Sequence, residues 1–233
     1  MAVLVAATAL AFVGPAKADE FGYSITLGAT TDYVFRGISL SDEKPEAQGS
    51  IDFSYGQFYA GAWASGVEGS GFAPVELDLY AGWKPVVGQF TFDFGIIGYL
   101  YPSADDDPDF GDYYEFKAAV STEIVKSLTG GVIVYYTPDQ DKYVETYTVE
   151  GSLAYSLPQM GIFAPTVSGG VGYTEAENGS GFFLTGADEY TYWNAGFSLG
   201  VEKLTMDFRY FDTDLDDGLA DERFVFTAKV TLP

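Results

Sequence analysis

Hydrophobic and polar residues alternate with a period of two along most of the chain. Residues 89–96 read Gln-Phe-Thr-Phe-Asp-Phe-Gly-Ile, and residues 224–232 read Phe-Val-Phe-Thr-Ala-Lys-Val-Thr-Leu. Because successive side chains of a β-strand point to opposite faces, each run predicts a strand with one apolar and one polar face. The pattern predicts twelve strands, at 21–39, 46–55, 57–66, 74–84, 88–101, 112–125, 129–137, 143–156, 163–174, 189–200, 203–212 and 222–232.

The connections between these strands alternate between two kinds. Every second one is long and acidic, and the long set holds 21 of the 34 Asp and Glu residues; it comprises 40–46, 66–73, 102–112, 137–142, 174–189 and 212–222. The others, such as 55–57 and 201–203, are short and contain a single acid, Glu202. Long loops on one rim and tight turns on the other are typical of a barrel that crosses a membrane.

Alternation alone does not reveal whether the apolar face points to a core or to lipid. Most runs reach the 9 to 11 residues that a tilted membrane strand needs, whereas strands of globular proteins average about five or six. The polar face carries Gly and Thr with scattered charges, which suits a wet lumen better than a soluble surface. We therefore predict an all-β fold, a transmembrane antiparallel up-and-down β-barrel of about 12 strands. A soluble periplasmic ligand-binding barrel shares the same period and is the alternative.

The N-terminal residues differ from the rest of the chain. Residues 2–13 are apolar, and Ala16-Lys17-Ala18 forms an A-x-A site for signal peptidase. We predict a signal peptide at 1–18, cleavage after Ala18, and a single barrel domain at 19–233, since no Pro-, Ser- or charge-rich linker divides the remainder. This predicts export to the cell outer membrane.

Composition narrows the function. The chain has no histidine and no cysteine, which removes Ser-His and Cys-His nucleophilic sites and His-based metal sites. A carboxylate-based hydrolase stays open, but we expect no enzyme and no cofactor. The net charge of −23 repels nucleic acid and attracts cations, so binding of DNA or RNA is not expected.

Three segments resemble a known family. Residues 31–39 read Thr-Asp-Tyr-Val-Phe-Arg-Gly-Ile-Ser and are followed by Ser-Asp-Glu-Lys-Pro at 41–45; together they resemble the N-terminal signature of the TorF family of porins. Residues 58–65 and 76–83 are similar to the next two blocks of that family. The resemblance covers the mature chain and implies a Gram-negative outer-membrane β-barrel that acts as a channel. The C-terminal Thr231-Leu232-Pro233 departs from the aromatic ending common in such barrels.

The first predicted strand, extended to residue 39, places Asp32 and Arg36 in the lumen about 13 Å apart at roughly 3.3 Å per residue. At that spacing they do not pair with each other, and each is expected to pair with a neighbouring strand. The candidate partners are Asp52, Asp207, Arg209 and Arg223. Such a network either holds the barrel in shape or selects solutes, and the sequence leaves both roles open.

A second predicted inward set makes the middle strands acidic. It comprises Glu76, Asp78, Asp93, Glu115, Lys117, Glu123, Glu145 and Glu150. Because rings of Asp and Glu favour cations, we predict mild cation selectivity. A twelve-stranded barrel is intermediate between eight-stranded barrels filled by side chains and wide 16- to 18-stranded porins, so only small solutes would pass.

The acidic loops raise the question of calcium. The run from Asp212 to Glu222 has Asp217 and Arg223 where an EF-hand needs its glycine and glutamate, so it is not an EF-hand. A solvated charged loop is the default for this run and for Asp105, Asp106, Asp107 and Asp109. We assign no metal site.

Two functions follow from this pattern. The first is an outer-membrane channel for passive diffusion of small hydrophilic solutes. The alternative is a closed structural or adhesive barrel whose acidic loops bind a partner or divalent ions. Filling of the lumen by Tyr80, Tyr99 and Tyr101 would favour the closed barrel. Outer-membrane lipid and lipopolysaccharide are the expected surroundings, and assembly into a homo-oligomer is left open.

Overall fold

The computed structural model describes residues 20–67, 74–102, 111–177 and 185–233 of the chain. The signal peptide predicted at 1–18 and the acidic run at 105–109 lie outside these residues. Within them, twelve long strands form the wall of the molecule: β1 (Phe21–Thr30), β4 (Glu46–Tyr55), β5 (Phe58–Gly66), β6 (Val75–Trp83), β8 (Phe90–Leu100), β9 (Tyr113–Val125), β10 (Leu128–Thr137), β11 (Thr146–Ser156), β12 (Ala164–Ala176), β13 (Glu189–Val201), β14 (Leu204–Thr213) and β15 (Arg223–Leu232). Three two-residue strands complete the set: β2 (Val34–Phe35), β3 (Ile38–Ser39) and β7 (Val86–Val87).

The long strands form one closed antiparallel ring. Each pairs with the long strands before and after it in sequence, and β1 pairs with β15 from Ile25↔Leu232 to Thr30↔Thr227. Closure leaves no sheet edge unpaired, which is a requirement for a sheet that lies in lipid. No helix in the described ranges is long and apolar enough to cross a membrane.

The two faces of the wall have opposite chemistry. On β1, Ile25 and Leu27 face outward and are 36% and 60% exposed, whereas Ser24 and Thr26 face inward and are buried. The same alternation puts Leu79, Phe94, Val132, Val171 and Phe208 on the outside. A soluble barrel would bury this apolar face, so the alternation identifies a transmembrane β-barrel and rules out the soluble alternative.

Outward aromatic side chains lie near both ends of the strands. Near the tight turns they are Phe21, Tyr55, Phe58 and Trp83, and near the long loops they are Tyr114, Tyr147, Tyr173, Trp193 and Phe224. Two such girdles bracket the apolar band where a bilayer meets water.

The two rims differ as the sequence predicts. Two residues join β4 to β5 at Gly56, which has a φ of 59°, and two join β13 to β14 at Glu202, which has a φ of 52°. The chain termini lie on this turn side. Longer connections join β1 to β4 and β14 to β15 on the opposite, loop side.

The predicted first strand is wrong beyond residue 30. β1 ends at Thr30, which pairs with Glu46, and residues 34–39 form the short antiparallel hairpin β2–β3, separate from the wall. Residues 32–41 are all buried, because the apolar side chains of Val34, Phe35 and Ile38 pack inside the barrel. The strand predicted from residue 143 likewise begins later, at Thr146.

Candidate functional site

A hairpin folded into the lumen is the main feature of the barrel interior. This inner hairpin, residues 31–41, carries the Val34↔Ser39 and Phe35↔Ile38 pairs of β2 and β3. Its tip is Arg36-Gly37, with φ values of 49° and 85°. Positive φ at both central residues gives the twist that two-residue hairpin turns require.

Hydrogen bonds anchor the base of the inner hairpin. The Asp32 carboxylate accepts bonds from Ser39 Oγ at 2.6 Å, Ser41 Oγ at 2.8 Å and Arg223 Nη1 at 3.1 Å. Arg223, one of the four candidate partners of Asp32, begins β15. The Ser39 N–H also donates to the Leu219 carbonyl at 2.8 Å. The hairpin is thus tied to the barrel seam and to the last long loop.

An ion pair holds the tip. Arg36 Nη2 donates to Glu115 Oε2 at 2.9 Å, and the two side chains are 3% and 1% exposed. Tyr99 OH and Thr137 Oγ1 also donate to this carboxylate, at 2.9 and 2.7 Å. The guanidinium carbon lies 4.7 Å from the Phe35 ring centre and 4.9 Å from that of Tyr135. The cation therefore lies beside two aromatic rings and one oriented carboxylate.

A second carboxylate binds the side of the hairpin. Glu76 accepts bonds from Tyr33 OH at 2.6 Å and from Tyr101 OH at 2.7 Å. Burial, followed by the charge of Glu76, raises the pKa of Tyr33 and of Tyr101 well above the usual value. Tyr33 of the hairpin and Tyr101 beside β8 thus donate to one shared carboxylate.

Asp78 lies next to this group without a partner. It is 0% exposed, and neither carboxylate oxygen has a hydrogen-bond partner in the part of the chain that the structure describes. It pairs in register with Trp63 on β5 and with Tyr99 on β8. A buried, unpaired carboxylate is energetically costly, which marks Asp78 as a functional candidate.

Aromatic side chains of the wall close around the hairpin. Tyr99 stacks on Tyr113 with ring centres 4.5 Å apart, and Tyr113 lies 4.4 Å from Tyr143. Tyr190, from the far wall, donates its hydroxyl to the Arg36 carbonyl at 3.1 Å. The loop-side half of the lumen is thus packed with side chains.

The turn-side half is lined differently. Its inward positions carry small polar side chains such as Ser24, Thr26 and Ser121. Near the middle of the wall, a cavity of about 10 Å³ lies among Thr26, Gly28, Gln48, Gly49, Ser50, Trp63, Thr227 and Lys229. This cavity therefore leaves room for about one water molecule beside the packed loop-side section.

The remaining predicted lumen residues form local pairs at lower levels of the wall. Asp93 binds Lys117 at 3.1 Å and Lys84 at 3.4 Å. Asp207 binds Arg209 at 3.0 Å, and Asp52 accepts hydrogen bonds from Tyr80 OH and Ser50 Oγ. These acids are paired within the wall and do not pair with Asp32 or Arg36.

Two of the predicted inward acids lie elsewhere. Glu145 precedes β11 and accepts bonds from Tyr136 OH at 2.8 Å and from the outward Tyr147 at 3.0 Å, so it belongs to the outer rim. Glu123 is exposed beside the β9–β10 turn, where it accepts the Ser127 N–H. Glu150 does lie within the barrel and accepts Tyr192 OH at 2.5 Å.

The sequence prediction named Tyr80, Tyr99 and Tyr101 as lumen residues but missed three other aromatic residues of the site. Phe35 and Tyr135 lie beside the Arg36 guanidinium, and Tyr33 binds Glu76, but each also matches ordinary strand composition. One signal was present, because an isolated glycine inside a strand pattern, here Gly37, indicates an irregularity in the strand. Reading it as a turn would have ended the first strand early.

Replacing Gly37 should loosen the hairpin. A Cβ at this position would lie 2.5 Å from Thr213 Cγ2 and 2.9 Å from Tyr192 Cβ, at a φ of 85°. We expect Gly37→Ala to destabilise the barrel by more than about 1 kcal/mol in urea unfolding. Gly88→Ala is the matched control, since Gly88 also has a positive φ but has open space around it. Equal losses in the two variants would contradict the packing of the tip.

Comparison with known proteins is consistent with this architecture. A family model described as "Bacterial protein of unknown function (Gcw_chp)" matches residues 14–232. No curated protein matches the chain. Among solved structures, it is similar to one described as "KdgM porin", at 9% identity and a TM-score of 0.61, over 90% of this chain and 98% of that one. A NanC porin structure matches at 12% identity and a TM-score of 0.55, with the same coverage. At such low identity the likeness establishes the fold alone, that of porin-type barrels.

Proposed function

The chain belongs to the Gcw_chp family of bacterial proteins of unknown function, and we propose that it is an outer-membrane channel for passive diffusion of small hydrophilic solutes. One observation carries the proposal. The wall is apolar outside and polar inside, and the section that blocks the lumen includes a hairpin from one loop, residues 31–41. The hairpin belongs to the connection between β1 and β4, so its side-chain contacts can break while the strands of the wall stay paired.

The location and orientation belong to the same proposal. A signal peptide at 1–18 would export the chain, and the apolar band with its two aromatic girdles would lie in the outer membrane. The long acidic loops would face the outside and meet lipopolysaccharide, and the tight turns would face the periplasm. The TorF resemblance of residues 31–45 implies the same setting. No covalent chemistry and no cofactor form part of the proposal.

Mild cation selectivity follows from the charged side chains that line the proposed solute path through the lumen. Glu76, Asp78 and Glu115 surround the hairpin on the wall, and the cation next to them, Arg36, belongs to the hairpin. When the hairpin moves aside, the wall presents these carboxylates to the solute. Rings of carboxylates favour cations.

Electrical recording tests the channel. We expect the refolded protein in a planar bilayer to give stable steps of small conductance, and a KCl gradient to give a reversal potential displaced towards that of a cation-selective pore. A reversal potential of the opposite sign would contradict the selectivity. A correctly folded barrel that stays silent, both intact and without the inner hairpin, would contradict the channel itself.

The packing of the lumen favours one second candidate. Tyr80, Tyr99 and Tyr101 are 5%, 1% and 5% exposed, and they fill the loop-side section together with the hairpin. A barrel that never opens would act through its acidic loops, as a structural or adhesive protein that binds a partner or divalent ions. No set of three metal-ligating side chains is grouped together within the described ranges. The silent outcome in electrical recording would select this candidate.

A further inference from the structure

The wall around Arg36 provides an acceptor and an aromatic ring for its guanidinium group. Glu115 provides the acceptor, and hydrogen bonds from Tyr99 and Thr137 fix the direction of its carboxylate. Tyr135 presents its ring to the cation at 4.9 Å. These four residues lie on three consecutive wall strands, β8 to β10. A planar cation against an aromatic ring and a carboxylate is the arrangement that favours guanidinium over other cations.

The hairpin leaves a second acid near this site without a hydrogen-bond partner in the described part of the chain. Glu115 is paired with Arg36, whereas the neighbouring Asp78 is fully buried with both oxygens unpartnered among the described residues. Asp78 lies in register with Tyr99, whose hydroxyl binds Glu115, so the two carboxylates flank one tyrosine. A buried carboxylate without a partner points to a ligand that brings positive charge or hydrogen-bond donors.

Arg36 itself occupies the site incompletely. Its Nη1 is buried and has no hydrogen-bond partner within the described chain, although a guanidinium has five N–H donors to satisfy. The residue also has a φ of 49°, in the left-handed region that a residue with a Cβ rarely adopts. The Arg36 guanidinium thus lies in this wall site with one of its two terminal nitrogens unpaired among the described residues.

We propose that this wall site, a socket formed by Glu115, Asp78, Tyr99, Thr137 and Tyr135, binds the guanidinium group of a solute, and that Arg36 occupies it in the closed barrel. The inference rests on the proposed channel function and names its solute class: small cations that carry a guanidinium group. Such a solute would displace the tip of the inner hairpin and pair with Glu115, and Asp78, in register with Tyr99, would be the second acid beside it.

Chemical rescue tests the socket without relying on conductance. Arg36→Ala removes the internal guanidinium and leaves the wall unchanged. We expect methylguanidinium chloride, added at millimolar concentration to the refolded variant in detergent micelles, to raise its thermal unfolding midpoint in a saturable way. Sodium chloride and tetramethylammonium chloride at the same concentrations control for ionic strength and for cations without N–H donors. Wild-type protein should respond weakly, because Arg36 already fills the site.

A matched variant tests the assignment of residues. Arg36→Ala combined with Glu115→Gln keeps the cavity but removes the paired carboxylate, so its rescue should be lost. If Arg36→Ala does not fold alone, its refolding yield with and without methylguanidinium becomes the readout. Equal effects of all three salts, or rescue that persists without Glu115, would overturn the proposal.

The outcomes separate the socket from the channel. Rescue of a barrel that stays silent in the bilayer would support the socket and contradict the channel. Conductance without rescue would support the channel and remove guanidinium compounds as its solute class.

Discussion

Removing the inner hairpin is expected to raise the single-channel conductance several-fold. In the intact barrel the hairpin fills the loop-side lumen, and Arg36, Tyr33 and Asp32 are all 7% exposed or less. Because Thr30 pairs directly with Glu46, a two-residue Asn-Gly turn can replace residues 31–45 and join β1 to β4. The ring of twelve strands would stay closed, and Glu76 and Arg223 would then face water. Planar-bilayer recording of the intact and the hairpin-deleted proteins at the same voltage measures the change in single-channel conductance.

A loop variant provides the control for this deletion. Asp42 and Glu43 lie in the same connection but are exposed, and both have positive φ, which asparagine tolerates. The substitution Asp42→Asn changes loop charge and leaves the hairpin in place, because Glu43 keeps its 3.7 Å pair with Arg223. It should keep the small conductance of the wild type. A hairpin-deleted barrel that folds but conducts no more than this control would show that the hairpin does not close the path.

Breaking the ion pair at the tip should give the largest loss of stability from one substitution. Glu115→Ala leaves the Arg36 guanidinium buried without a counter-charge, and such changes typically cost about 3–5 kcal/mol. The Tyr99 and Thr137 hydroxyls also lose their acceptor, which adds to the loss. Since both charged side chains are at most 3% exposed, solvent does not screen the pair. Urea unfolding in micelles, followed by tryptophan fluorescence, measures the change.

The exposed pair Lys44–Asp42 gives the comparison. Its side chains are 61% and 47% exposed, so Asp42→Asn should change stability by only about 0–1 kcal/mol. Arg36→Met combined with Glu115→Leu should recover much of the loss, because an apolar pair leaves no charge buried. A Glu115→Ala effect as small as that of Asp42→Asn would mean that the hairpin does not lie in the lumen in solution.

Period-two patterning predicted the wall closely. All twelve strands occur, and apart from the first one their ends differ from the predicted ends by at most three residues. The tight turns at Gly56 and Glu202 also lie where the spacing places them. Local pattern suffices here because a lipid-facing strand must be apolar on one face along its whole length.

The site was harder to predict. The inward direction of Glu76, Asp78 and Glu115 follows from alternation, but their partners do not. Arg36 and Glu115 are 79 residues apart in sequence, and Tyr33 and Glu76 are 43 apart. The local sequence pattern does not show which side chains lie at the same height in the lumen once the ring of strands closes. The partners expected for Arg36 were therefore wrong, whereas Arg223, at the barrel seam, was among those named for Asp32.

The sequence by itself determined the barrel: its strand number, its two unlike rims, and the wet and lipid-facing sides of its wall, since each depends on neighbours one or two positions apart. Only the tertiary structure decided where residues 31–41 lie. Asp32 and Arg36 alternate with Tyr33 and Phe35 as in a wall strand, and the break at Val34 and Ile38 does not by itself show that the segment folds into the lumen. Closure of the ring creates a lumen lined by Glu115, Glu76 and tyrosines from distant strands, and the hairpin folds into it because Arg36, Tyr33 and Asp32 find hydrogen-bond partners there.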